Sequence, residues 1–202
     1  MAEGREGRYR RFGCAALSLS ASQIKPASLL SLQDHFRVLH HPGGIDDLNC
    51  LSKLVAEARA ALAAVPPDEF IRAAYHNSLG THLRWISDKT RSLRDTDEAV
   101  DHSCKAVAQL RYDNLTRLLY QSHLARSLCS CFTLSGHATY LDEAVTKGRD
   151  ITGESPLVYP SRATHWDNMA HVLATKFLTP WGTMADIEEA IECAKKKSID
   201  GL

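Results

Sequence analysis

Four side chains in the middle of the sequence, His123, Cys129, Cys131 and His137, are of the types that bind zinc. Cys129 and Cys131 are two residues apart within a segment of helical apolar spacing, so they point to nearly opposite sides of the helix. This spacing does not fit a tetrahedral site. We therefore expect no metal site and no cofactor.

Three arginines recur at intervals of 45 residues: Arg72, Arg117 and Arg162. Each lies near the start of a predicted helix, so the three would form a row along a stack of repeats. In one interpretation, each guanidinium pairs with an acidic side chain of an adjacent helix, such as Glu98 or Glu143, and stabilises the repeat. In the other, the row binds carboxylates of a peptide partner. Both interpretations require a cation at this spacing.

Trp85 is the fourth candidate for partner binding. Its place in the repeat is taken by Ser130 and Thr175 in later units. The position accepts small polar residues, so we expect it to be exposed. An exposed tryptophan is a frequent anchor of binding interfaces. With the three arginines, it completes the set of predicted partner-binding residues.

The positions of these candidate residues follow a repeat in the sequence. Residues 77–83, 122–128 and 167–173 align at steps of 45, and the segments TDEAV, LDEAV and IEEAI follow them in nearly the same register. Apolar residues within each unit recur at i, i+4 and i+8, which is helical spacing, and no segment alternates with period two. The sequence predicts an all-α solenoid of about four antiparallel helical hairpins with a 45-residue period.

The predicted repeat domain covers residues 26–202, with units at about 28–64, 68–110, 113–150 and 161–198. We expect eight helices, at about 28–41, 46–64, 68–88, 95–110, 113–134, 140–150, 161–178 and 186–198. Capping-box patterns mark helix starts at Asp95, Thr139 and Asp186. Residues 1–25 are expected to form a disordered tail.

A recurring scheme of residue pairs runs through the units. An Arg-Ala pair is followed by Leu-Gly or Leu-Ala, a glycine turn, and an acidic pair before Ala and Val or Ile. It is carried by Arg72-Ala73, Leu79-Gly80 and residues 97–100, by Arg117, Leu124-Ala125 and residues 141–145, and by Arg162-Ala163 and residues 186–191. Over residues 46–198 the scheme resembles tetratricopeptide-like repeats, most of all the long-period arrays that precede caspase-like CHAT domains in fungal proteins.

A curved stack of helical hairpins offers a groove. Together with the resemblance, this predicts a non-catalytic scaffold that binds a peptide or protein on its concave face. The alternative is a regulatory or sensor segment of a larger protein with a caspase-like CHAT effector domain. A caspase-like Cys–His dyad needs a parallel sheet to present its residues, and no strand pattern is present. We expect no enzymatic activity.

Composition excludes other classes of function. Lys and Arg total 24, and so do Asp and Glu, so the chain has no net field that would attract nucleic acid or an anionic membrane. No apolar run approaches the ~20 residues of a membrane span. The six cysteines are irregularly spaced, and we interpret them as reduced thiols. These features predict a cytoplasmic protein.

The last predicted helix carries apolar residues that need cover, namely Ile187, Ala190, Ile191 and Ala194. A repeat stack normally ends in a helix with a polar outer face. Two expectations follow. Either the chain is a fragment of a longer array, which we favour, or this helix associates with a second copy or another protein.

Overall fold

The structure, a computed structural model, describes residues 48–64, 69–112, 114–156 and 161–200. Within these residues the chain forms seven α-helices and no strand. They are α1 (Leu48–Ala64), α2 (Glu69–Thr90), α3 (Leu93–Ala108), α4 (Leu115–Ser135), α5 (Ala138–Glu154), α6 (Arg162–Phe177) and α7 (Met184–Asp200). The prediction of an all-α protein is confirmed for this part of the chain.

Seven of the eight expected helices have a counterpart in the structure. The expected helix at residues 28–41 and the expected tail at residues 1–25 lie outside the described residues. Helices α3, α5 and α7 begin two residues earlier than the capping-box patterns indicate, at 93, 138 and 184 in place of 95, 140 and 186.

The early helix starts have a local cause. Before α3, the Ser92 hydroxyl accepts a hydrogen bond from the Asp95 backbone N–H at 3.2 Å, so Ser92 is the cap and Asp95 lies in the first turn. Before α7, the Thr183 N–H donates to the Asp186 carboxylate at 2.9 Å, and the Asp186 N–H donates back to the Thr183 hydroxyl at 3.4 Å. The expected capping residues are therefore wrong by about one turn.

The chain divides into two compact units, Met1–Cys50 and Leu51–Leu202, and only the start of α1 represents the first among the described residues. In the second unit, each helix from α2 onwards packs against the next. Helix α4 also packs against both α2 and α6. We call these three helices the inner layer and α3, α5 and α7 the outer helices.

Residues at 45-residue intervals occupy similar places in the core. Leu79, Leu124 and Met169 of the inner layer are 0%, 4% and 2% exposed. Ala99 and Ala144 of the outer helices are likewise fully buried. Because each of these side chains is enclosed between neighbouring helices, their burial contributes to the stability of every helix pair.

Two glycines let neighbouring helices approach closely. A Cβ atom at Gly80 in α2 would lie 2.5 Å from Ser103 Oγ and 3.0 Å from the Ala99 carbonyl oxygen of α3. A Cβ atom at Gly148 in α5 would overlap the sulfur of Met169 in α6. A larger residue at Gly80 would push α3 away, whereas at Gly148 the Met169 side chain would have to move.

Candidate functional site

The first two of the repeated arginines contact the ends of preceding helices. Arg72 Nη1 donates to the Leu62 carbonyl oxygen in the last turn of α1 at 3.4 Å. Arg117 Nη1 donates to the Leu110 carbonyl oxygen, two residues after α3, at 3.2 Å. The last carbonyls of a helix have no intrahelical donor. These guanidiniums therefore supply a missing hydrogen bond where one helix ends and the next begins.

The acidic residues expected to pair with the arginines have other partners. Glu98 forms an ion pair with Arg59 of α1. Glu143 forms one with Lys147, one turn later in α5, at 3.2 Å. The interpretation in which the first two repeated arginines pair with these carboxylates is thus corrected: their hydrogen-bond acceptors are backbone carbonyls.

Arginine side chains lie beside two tryptophan rings of the inner layer. The Arg162 guanidinium carbon is 5.4 Å from the Trp166 ring centroid, and that of Arg84 is 5.9 Å from the Trp85 ring centroid. Trp85 also contacts His82, with ring centroids 5.8 Å apart. Trp85 is half-buried, less open than the sequence suggested, and retains an accessible part of its ring.

A polar cluster joins the three helices of the inner layer. We call it the inner-layer cluster, and its members are Arg84, Asp88, Arg126, Ser130 and His171. The Asp88 carboxylate accepts hydrogen bonds on both oxygens, from Arg84 Nη1 and from Ser130 Oγ, each at 2.8 Å. Asp88 therefore ties α2 to α4 and compensates the charge of Arg84, which is only 9% exposed.

Arg126 is the charged member of the cluster that lacks a direct partner among the described residues. Its guanidinium is half-buried and makes no hydrogen bond or ion pair with any residue that the structure describes. Burial lowers the pKa of Arg126, and the nearby Asp88 and Asp167 only partly oppose this effect. Asp167 itself binds Lys197 Nζ at 2.6 Å. A partly desolvated cation whose donors make no hydrogen bond within the protein can accept an anionic ligand.

The cluster has a positive electrostatic character. Burial, and next the charge of Arg126, lower the pKa of Arg84 to about 10. Desolvation, together with the charges of Arg126 and Arg84, lowers the pKa of His171 to about 4. At neutral pH, His171 is therefore uncharged, and the guanidiniums of Arg84 and Arg126 lie near the carboxylate of Asp88, while the more distant Asp167 is paired with Lys197. An added anionic group would be stabilised here.

Arg126 is not among the residues predicted to bind a partner, although its place in the repeat marks it as a candidate. At steps of 45, Arg126 aligns with Thr81 and His171, which makes this a polar position between apolar ones in three units. Such a position on neighbouring inner helices is a candidate surface site. The absence of a partner for Arg126 depends on side-chain placement, which the sequence does not provide.

Two hydrogen bonds between inner helices occupy corresponding positions. His123 Nδ1 and Asn77 Oδ1 are 2.8 Å apart and join α2 to α4. Asn168 Nδ2 donates to Ser122 Oγ at 3.1 Å and joins α4 to α6. In both cases a residue contacts the residue 46 positions later, on the next inner helix. We call these two contacts the inner rungs.

A second pair of contacts joins the outer side of the helices. Arg59 of α1 pairs with Glu98 of α3. Arg149 of α5 pairs with Glu189 of α7 through two hydrogen bonds of 3.1 and 2.6 Å. We call these ion pairs the outer rungs. Cys104 lies 45 residues from both arginines. Burial raises the pKa of its thiol, and the nearby charge of Glu143 raises it further.

The candidate zinc ligands are placed as ordinary side chains of the helices. Burial raises the pKa of the Cys129 thiol and raises that of Cys131 to about 12, so both are protonated and neither is a nucleophile at neutral pH. His123 belongs to an inner rung, and His137 is an exposed residue before α5. Within the described ranges, no three His, Cys, Asp or Glu side chains are arranged to hold a metal ion.

Comparison of the chain with protein-family models, curated proteins and solved structures gives no match. None of the helices in the described part of the chain is both long and apolar enough to cross a membrane. The inner-layer cluster is therefore interpreted from its own geometry.

Proposed function

We propose that α1 to α7 belong to a solenoid of antiparallel helical hairpins with a 45-residue period, similar to tetratricopeptide-like repeats. The inner and outer rungs support this proposal because each joins equivalent positions of successive units. Burial of the equivalent residues Leu79, Leu124 and Met169 supports it as well. In such a stack, each hairpin is stable only because its neighbours cover it.

We further propose that the protein is a non-catalytic scaffold that binds an acidic peptide segment on the concave face, which the inner layer would form. The observation that carries this proposal is Arg126, a half-buried cation with no direct partner among the described residues. A carboxylate of the partner would accept hydrogen bonds from its guanidinium. Hydrogen bonds to charged groups contribute about 1.5–3 kcal/mol each.

The surroundings of Arg126 suggest how the rest of the peptide binds. Trp85 lies beside Arg84, a member of the inner-layer cluster, and offers part of its ring to an apolar side chain next to the acidic residue. Arg72 and Arg117 already donate to helix ends, so we assign them the role of fixing the hairpins, while binding by the row of arginines stays a prediction. The alternative role beside a CHAT domain rests on the resemblance and also stays a prediction.

Selection from a display library of random peptides, with the full chain as bait, tests the scaffold function. We expect enriched peptides to contain Asp or Glu and to bind more weakly as salt screens the charges. The variant Arg126→Gln should bind these peptides at least about ten-fold more weakly, because it removes a charged donor.

Arg94→Gln is the matched control. Arg94 is an exposed arginine of the outer helix α3, and the same change there should leave peptide affinity unaltered. If no acidic peptide is enriched, or if Arg126→Gln binds the selected peptides as tightly as the unchanged protein, the proposed function is wrong.

A further inference from the structure

Helix α7 carries a stripe of exposed residues on the side opposite its buried face. The stripe consists of residues three or four positions apart: Met184, Glu188, Ile191, Lys195 and Ile199. Its three apolar members are 66%, 49% and 70% exposed, whereas Ala190 and Cys193 on the opposite face are 5% and 4% exposed. Three large apolar side chains along one helix face mark an interaction surface.

The equivalent face of α5 is covered. Val145 lies 46 residues before Ile191 at the same place in the DEAV-type segment, yet it is 5% exposed and belongs to the hydrophobic core. The two helices therefore present similar apolar side chains in different surroundings. Within the part of the chain that the structure describes, no second apolar surface covers this face of α7.

The order of residues along the stripe is self-complementary. When two copies of α7 are placed antiparallel about a two-fold axis between residues 191 and 192, Met184 faces Ile199 of the other copy, and Glu188 faces Lys195. Ile191 then lies next to Ile191 of the other copy. A two-fold interface requires this kind of match of a surface with itself.

We propose that the stripe on α7 binds the same stripe of a second copy of this chain in an antiparallel arrangement. The proposal is independent of peptide binding by the inner layer. In this arrangement, apolar contacts form at both ends and in the middle of the helix pair. An ion pair lies between the middle contact and each end.

The charges of the stripe are available for this contact. Glu188 forms no ion pair with any residue in the described ranges. Lys195 pairs with Glu192, one turn earlier, at 2.7 Å on the exposed surface. Two further charged residues of α7 form ion pairs beside the stripe: Glu189 with Arg149, and Lys197 with Asp167.

The small area of the stripe on α7 indicates a weak association. Contact between two 17-residue helices lies at the small end of specific interfaces, which bury about 1,200–2,000 Å². We therefore expect a reversible dimer with a dissociation constant on the order of 10 µM.

Sedimentation equilibrium of the full 202-residue chain between ~1 and ~500 µM measures this association. The variant Ile191→Glu places two carboxylates together at the axis and should raise the dissociation constant at least about ten-fold. The matched control is Leu93→Glu, since Leu93 is 46% exposed at the start of α3 and lies outside the stripe. The control should associate like the unchanged chain, and circular dichroism should show that both variants are helical.

Exchange of the charges tests the antiparallel register. Glu188→Lys alone and Lys195→Glu alone each place like charges opposite one another and should weaken association several-fold. The double variant Glu188→Lys/Lys195→Glu restores opposite charges and should recover most of the affinity. A parallel pair would not show this recovery, because each position would face its own copy.

Any one of three results would overturn the proposal. The first is that the unchanged chain is still a monomer at ~500 µM. The second is that Ile191→Glu associates as strongly as Leu93→Glu, and the third is that the double charge exchange recovers none of the lost affinity. A monomer that still binds acidic peptides through Arg126 would reject self-association and leave the proposed scaffold function standing.

Discussion

At the scale of single residues, Asp186 is the most enclosed acidic side chain in the described part of the protein, at 3% exposed. Its carboxylate accepts hydrogen bonds from Lys176 Nζ at 2.8 Å and from the N–H and hydroxyl of Thr183 at 2.9 and 2.8 Å. Burial alone would raise the pKa of Asp186, but these hydrogen bonds outweigh it and lower the pKa to about 2. The carboxylate thus joins the end of α6 to the start of α7.

Asp186→Asn should reduce the free energy of unfolding at pH 7 by about 2 kcal/mol. The folded pKa lies below the unfolded value of 3.8, so the stabilisation is complete above about pH 4 to 5 and is lost as the pH falls towards 2. Urea unfolding of both proteins at a series of pH values should therefore show a difference at pH 7 that shrinks in acid.

Asp150→Asn is the control for this prediction, because Asp150 is an exposed residue of α5. Its stability should stay within about 0.5 kcal/mol of the unchanged chain. A difference between Asp186→Asn and the unchanged chain that persists undiminished at pH 2 would contradict the role assigned to the Asp186 carboxylate.

At the scale of helices, the spacing between α2 and α3 depends on Gly80. The backbone of α3 is so close that even a methyl group on α2 has no room at this position. The sequence indicates this contact, since Gly80 aligns with Ala125 and Ala170 in the later units. Only coordinates, however, show that Ala125 has room for a Cβ atom and that Gly80 does not.

Gly80→Ala should destabilise the protein by roughly 1–3 kcal/mol, although alanine favours helix formation by about 1 kcal/mol over glycine. The overlap with Ser103 and Ala99 outweighs the gain in helix propensity. Thermal or urea unfolding measures the change.

Gly153→Ala provides the opposite case. Gly153 lies in the last turn of α5, and a Cβ atom added there would meet nothing within 4 Å. The same substitution should therefore be neutral or stabilise by up to about 1 kcal/mol. Equal effects of the two substitutions would show that the approach of α2 to α3 is looser than described.

The helices themselves are largely predictable, and their first turns are not. Apolar spacing identifies the buried faces of α2, α4 and α6 because burial repeats every three to four residues. A cap depends on which of several nearby side chains reaches a free N–H, and in α3 and α7 Ser92 and Thr183 do so ahead of the expected residues.

At the scale of the whole molecule, the two outer rungs leave one equivalent place, between α3 and α5, without an ion pair. Arg59 and Arg149 each pair with a glutamate of the next outer helix, while Cys104 occupies the corresponding place opposite Glu143. The helices are thus joined by similar contacts at both ends of the described stack, with a gap between α3 and α5.

Cys104→Arg should fill this gap. A guanidinium at this position can reach Glu143 as Arg149 reaches Glu189, and the expected gain is about 0.5 kcal/mol, typical of an exposed ion pair. The pair with Lys147 at 3.2 Å limits the gain.

A double-mutant cycle of Cys104→Arg with Glu143→Gln, followed by urea unfolding, isolates the interaction. A coupling free energy of zero or of opposite sign would mean that the two positions are not equivalent to those of the outer rungs. High salt should reduce the coupling if it is electrostatic.

The candidate site is less predictable than the helices. Alignment of repeats locates positions that share a face, which is how Trp85 and the arginine row were selected. Whether a cation on that face already has a partner depends on the lengths and directions of neighbouring side chains. Arg72 and Arg117 reach helix ends, whereas Arg126 makes no hydrogen bond within the described residues.

Each helix from α2 onwards packs against helices that are one or two places away along the chain. Such nearest-neighbour connectivity keeps the entropy of loop closure small, and folding can begin at any adjacent pair and spread from there. Because α4 packs against four other helices and α7 packs mainly against α6, we expect local opening of α7 to need less free energy than local opening of α4, which hydrogen exchange measures.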